Sequence, residues 1–152
     1  MQTLKLPTAG IITSSEGKKM NVVGHEATIK LSSDRANGNY VFEVVSPSGM
    51  GIPPHKHDQE DEIIYIQSGE FEIFLDGKLS QAKAGDLLNF TRGTSHGFKN
   101  TGSLAGKTLW FVSPGANFEE FFNHLGSLPP GPPDLEKLAE LFQRYGLPLL
   151  PM

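Results

Sequence analysis

The chain has 152 residues, 38% hydrophobic and 20% charged, the size and makeup of one globular domain with a substantial core. Its formal charge is -4 and no basic run or stripe appears, which argues against nucleic acid and anionic membrane as partners. It has no cysteine, so thiolate chemistry and a disulfide framework are excluded. With no signal-peptide core near Met1 and no apolar run long enough to span a bilayer, the cytoplasm is the expected location.

In chain order, residues 40–45 (YVFEVV) read as a strand. Glu43 marks its wet side, so Tyr40, Phe42 and Val44 are expected to point inward. Residues 70–75 alternate and end in Asp76-Gly77, a hairpin turn signal. Their parity turns Phe71, Ile73 and Leu75 inward and leaves Phe74 outward beside Glu70 and Glu72. Ala84-Gly85-Asp86 reads as a turn, followed by a strand over residues 87–90. Residues 107–112 form a further strand that carries the only tryptophan, Trp110. Short strands between turn signals mean an antiparallel sandwich or barrel over residues 1–113.

The pattern changes after Ser113-Pro114-Gly115, and residues 114–152 read as a helical extension without a core of its own. Phe118, Phe121, Phe122 and Leu125 share one face of a helix over residues 117–125. A Pro/Gly breaker over residues 128–133 precedes a second helix over residues 134–145, with Leu135, Leu138, Leu141 and Phe142 on one face and Gly146 as its stop. The first helix is expected to cover a sheet face, with closure of the barrel mouth as the alternative. The apolar tail "LPLLPM" is expected to pack against the rest.

The chemistry concentrates in "GIPPHKHDQEDEIIYIQSGE", residues 51–70. On a strand, His55 and His57 lie on one face, so both imidazoles can reach one centre. Glu62 joins them if the polar residues 58–61 turn the chain. His96, in a second strand-like run, is the candidate third imidazole. Three neutral imidazoles and a carboxylate suit one divalent Fe, Mn, Ni, Cu or Zn ion, with positions left open for water, oxygen or substrate. The alternative for the same stretch is a solvated turn.

These residues resemble the cupin superfamily. Gly49, His55, His57, Glu62 and Gly69 stand at the spacings of the first cupin motif. Gly85, Gly93, His96 and Asn100 stand at those of the second, with Thr91 where that motif usually has Pro. The fifteen residues between Gly69 and Gly85 equal the short gap of compact single-domain cupins of the Cupin_2 type. The resemblance implies a double-stranded β-helix, or jelly-roll, barrel and metal ligation by His55, His57, Glu62 and His96. It also makes a homodimer common, for which the outward Phe74 is a candidate contact. More loosely, the "FEEFF" segment and Pro-rich tail are similar to those of quercetin 2,3-dioxygenase-like cupins.

Tyr40, Phe42, Ile52, Ile64, Phe71, Phe98 and Trp110 are the candidate walls of a substrate pocket, apolar and aromatic as small-molecule sites are. With no inward Arg or Lys, a ring compound or an apolar acid or ketone is favoured over a sugar phosphate; Arg92 is read as a surface residue. The expected function is a dioxygenase-like oxidoreductase acting on an enol or flavonoid-type substrate, with Glu62 as both ligand and general base. A non-catalytic small-molecule binding module and a metal-dependent isomerase or lyase are the alternatives. His25, read at a strand edge, and His124, near a helix C-terminus, are assigned no role.

Overall fold

The computed structural model describes residues 9–33 and 38–150. Ten strands are described: β1 (Lys18–Val22), β2 (His25–Leu31), β3 (Tyr40–Ser46), β4 (Gly51–His55), β5 (Asp61–Ser68), β6 (Glu70–Leu75), β7 (Lys78–Lys83), β8 (Leu87–Phe90), β9 (His96–Asn100) and β10 (Gly106–Ser113). They form a six-stranded sheet in the order β1-β2-β3-β10-β5-β8 and a four-stranded sheet in the order β4-β9-β6-β7. Every pairing is antiparallel. From β4 to β10 the chain passes back and forth between the two sheets, except at the β6–β7 hairpin, which stays within the four-stranded sheet. Two helices follow, α1 (Ala116–Gly126) and α2 (Leu135–Arg144). No helix among the described residues is long and apolar enough to cross a membrane.

Period-two patterning builds the core. Tyr40, Phe42 and Val44 of β3, Ile64 and Ile66 of β5, Phe71 and Ile73 of β6, and Trp110 and Val112 of β10 are all buried. Leu75 departs from its parity and is 38% exposed. It ends β6 against the two-residue turn Asp76-Gly77, both at positive φ, where the sheet no longer covers it. Phe74, expected outward, is half-buried.

The β1–β2 hairpin has a weak sequence signal. Its turn is Val23-Gly24, both at positive φ, and a β-branched residue in that region is uncommon. Asn21 Oδ1 holds the turn by accepting from Gly24 N at 3.0 Å. Because β2 is flanked by β1 and β3, His25 is not an edge residue but is 2% exposed.

Pro53 and Pro54 sit in β4, an edge strand, where a missing N–H breaks no ladder bond. The tail covers that edge: Leu150 N donates to Pro54 O at 2.9 Å, and His55 and Leu149 form an antiparallel bridge. The tail thus packs on β4 as far as Leu150; Pro151 and Met152 lie outside the described residues. Asp134 caps α2, accepting from Glu136 N and Lys137 N at 3.1 and 3.2 Å. Gly146, at φ 78, ends it with Leu147 N bonded back to Phe142 O.

Candidate metal centre

His55 ends β4 and His96 opens β9, and the two are cross-strand partners. This needs close contact between the strands: a Cβ on Gly51 would meet Phe98 O at 2.1 Å, and one on Gly97 would meet Ile52 O at 2.8 Å. His57 lies just beyond β4. Glu62 lies on β5 opposite Phe90 of β8 and Val112 of β10. All four side chains are buried.

Their functional atoms converge. His55 Nε2 and His57 Nε2 are 3.2 Å apart. Glu62 Oε2 is 3.4 Å from His57 Nε2, and Glu62 Oε1 is 3.4 Å from His96 Nε2. The other ring nitrogens fix the tautomers. His55 Nδ1 donates to Pro53 O at 2.9 Å and His96 Nδ1 donates to Thr94 O at 3.0 Å. A carbonyl only accepts, so the hydrogen is on Nδ1 and the Nε2 lone pairs face the centre. Phe90 stacks on His96 at 4.1 Å between centroids, and Phe118 on His57 at 5.4 Å.

The donor set fits a cation. Both Glu62 oxygens and His96 Nε2 are buried without a hydrogen-bond partner, a costly state for polar groups unless something positive sits among them. Burial pushes the Glu62 carboxyl up, but His57 and His96 outweigh it and the net shift is below the usual value. Burial, with His96 and His57 adding to it, holds His55 down to about 3. Burial also acts to lower His57, but Glu62 and Glu60 prevail and raise it. His55, His57 and His96 can hold a metal ion, their ligand atoms lying within 4.8 Å of one another. Glu62 borders this group through His57 and His96, at 3.4 Å from each.

A cavity of about 40 Å³ adjoins His55 and Glu62. Of the expected pocket walls, Ile52, Phe98 and Trp110 line it. Tyr40, Phe42, Ile64 and Phe71 are buried in the core but are not among the residues that line this cavity. Strand parity gives the side of the sheet and not the height along the barrel. Phe71 sits at the far end beside Gly69 and Gly106, while Tyr40 and Phe42 lie beneath Phe118 and Phe122.

The remaining walls come largely from the C-terminal segment: Phe118, Phe121, Phe122, Leu125, Phe142 and Leu147. The first helix thus packs on β1 and β3, as expected of a helix that covers a sheet face, and its apolar stripe also lines this cavity. The period-3.6 stripe identified the apolar face but not its partner. Val22, Val23, His25, Ala27 and Val44 complete the wall and were not expected there. His25 is satisfied by Ser46 Oγ at 2.9 Å and Gly51 O at 3.4 Å. Arg92 is on the surface, paired with Asp61 at 3.0 Å. His124 contacts the Tyr145 hydroxyl at 3.3 Å, away from the site. Glu60, expected in a solvated turn, is buried beside His57.

Residues 41–112 match the Cupin_2 family, described as "Cupin domain". This region is a cupin domain. The chain is similar to quercetin 2,3-dioxygenase of Bacillus subtilis, 29% identical over 119 residues, 76% of this chain and 34% of that protein. It is also similar to the oxalate-binding protein of Thermotoga maritima, 42% identical over 57 residues, 38% of this chain and 47% of that protein. The chain thus spans half or less of these two curated relatives. Among solved structures, a predicted oxalate decarboxylase from Thermotoga maritima superposes with a TM-score of 0.61 at 29% identity, covering 68% of this chain and 98% of that one. The solved structure shares the barrel fold, whereas the helices that line this chain's cavity lie C-terminal to the matched residues 41–112.

Proposed function

We propose that this cupin is a metal-dependent, dioxygenase-like oxidoreductase that acts on a compact enol-type or aromatic substrate. The observation that carries the reading is the buried convergence of His55, His57, His96 and Glu62 beside an apolar cavity. A redox-capable divalent ion held by these four residues would supply the electron exchange with dioxygen that no side chain here provides. Glu62, held as a carboxylate by its histidine neighbours, is positioned to take the enol proton at Oε1 or Oε2. Ile52, Phe98, Trp110 and Phe118 orient an apolar body and keep bulk water out. The cavity is small, so a flavonol-sized substrate requires α1 and α2 to move, whereas a compact enol needs less. The likeness to quercetin 2,3-dioxygenase supports the reaction class.

The test is elemental analysis of untagged protein beside a His57→Ala/His96→Ala variant, followed by oxygen-uptake assays with compact enols and flavonols. The expected result is near-stoichiometric Fe, Mn, Ni or Cu that the variant loses. Oxygen uptake should fall by about 10²–10⁴-fold in Glu62→Gln. Metal without oxygen uptake on any enol would move the reading to a binding module or a Lewis-acid lyase or isomerase. No metal retained or taken up would remove it.

A further inference from the structure

His57 differs from the other two histidines in what holds its outer nitrogen. His55 and His96 each donate from Nδ1 to a backbone carbonyl two residues earlier. His57 Nδ1 instead faces Glu60 Oε2 at 3.4 Å, a charge contact short of a hydrogen bond, and neither buried atom has a hydrogen-bond partner elsewhere, so each is the group available to the other. The other oxygen, Glu60 Oε1, accepts from Asn117 Nδ2 at 2.8 Å. Asn117 Nδ2 also donates to Tyr145 O at 2.7 Å. Both of its partners are acceptors, which fixes the orientation of the amide. Asn117 is in the first turn of α1 and Tyr145 ends α2. A continuous path therefore runs from a site histidine through Glu60 to both C-terminal helices.

We propose that Glu60 is a positioning residue of the metal centre. It holds His57 in the Nδ1–H tautomer that leaves Nε2 free to ligate, and through Asn117 it ties that ligand to the C-terminal helices. The inference rests on the metal-centre reading above. A carboxylate only accepts, so it selects the tautomer with the hydrogen on Nδ1. It also gives α1 and the ligand a shared anchor: whatever loosens α1 at Asn117 loosens the group that orients His57.

This makes a specific prediction for Glu60→Gln, which keeps the shape. Asn117 presents N–H, so the Gln oxygen must turn toward Asn117 and the Gln NH₂ toward His57. That arrangement favours the wrong tautomer, with the hydrogen on Nε2. Removing Asn117 frees the amide to turn over and accept from His57. Asn117→Ala should therefore partly rescue Glu60→Gln, although alone it should weaken binding.

The experiment is Co(II) titration of the metal-free full chain by calorimetry and visible absorption, for wild type, Glu60→Gln, Asn117→Ala and the double variant, with thermal melts of each metal-free protein. The expected result is a 10–100-fold loss of Co(II) affinity in Glu60→Gln, an altered cobalt spectrum, and partial recovery in the double variant. A purely structural role would lower the melting temperature without this rescue. Affinity within about twofold of wild type in Glu60→Gln, or a double variant that binds no better than Glu60→Gln, overturns the proposal. If Glu60→Gln does not fold, Asn117→Ala alone decides: a loss of about threefold or more is expected, and unchanged affinity overturns it. Wild type that takes up no Co(II) sinks the metal-centre reading itself and this inference with it, an outcome distinct from wild type binding normally while Glu60→Gln binds equally well.

Discussion

At the scale of single residues, the histidines divide by surroundings. His55, His57 and His96 face a carboxylate and one another, whereas His25 faces a hydroxyl and a carbonyl. Burial holds His25 below its ordinary value of 6.5, opposed only in part by its contact with Gly51 O. Because the folded-state pKa lies below the unfolded one, the stability His25 contributes is present above pH 6.5 and is lost as pH falls toward the folded value. Urea unfolding of metal-free protein at pH 7 to 5 should show this loss, with a slope of up to about 1.4 kcal/mol per pH unit. In His25→Gln that component should disappear. Equal slopes in both proteins would rule the assignment out.

At the scale of elements, the C-terminal segment does the work of a fourth wall. Phe121 packs on Phe142 at 4.9 Å and on Tyr145 at 5.5 Å, and Phe142 reaches the edge of His55 at 5.9 Å. Glu119 accepts from Ser33 N at 2.8 Å and from the Ser32 hydroxyl, which anchors α1 to the chain after β2. Aromatic packing of this density is expensive to remove. Phe142→Ala should lower stability by about 3–5 kcal/mol, measured as the urea midpoint followed by Trp110 fluorescence. A loss under about 1 kcal/mol, the size of a surface substitution, would mean the two helices are only loosely seated.

At the scale of the whole molecule, the barrel places an unsatisfied polar centre inside an apolar core. The cost of leaving Glu62 and His96 Nε2 unpartnered is a reason for the folded state to bind a cation strongly, since the unfolded chain has no preformed site. A metal present at 100 times its dissociation constant should add about 2.7 kcal/mol, a rise in Tm of about 5–10 °C for a chain of this size. A chelator should reverse it. A melting temperature indifferent to Fe(II), Mn(II), Ni(II), Co(II) and Zn(II) would contradict the site as described.

Much of this was legible before the structure. The spacing of His55, His57, Glu62 and His96 marked groups that come together, and β-alternation marked Tyr40, Phe42 and Ile73 as inward. Glu60 was not legible: Asp58, Gln59, Glu60 and Asp61 look like a solvated turn, and only the packing of α1 and the end of α2 over them buries one of the four. The place of the first helix beside the cavity was left between two alternatives, because a helical stripe states that a face is apolar and not what it meets. Sequence alone determined what depends on local periodicity and on residue type at fixed spacing: the β-barrel, its inward faces and the identity of the donors. Tertiary structure alone decided what depends on long-range approach: how high along the barrel each side chain sits, which of them bound the cavity, and that Glu60 and Asn117, 57 positions apart, meet behind His57.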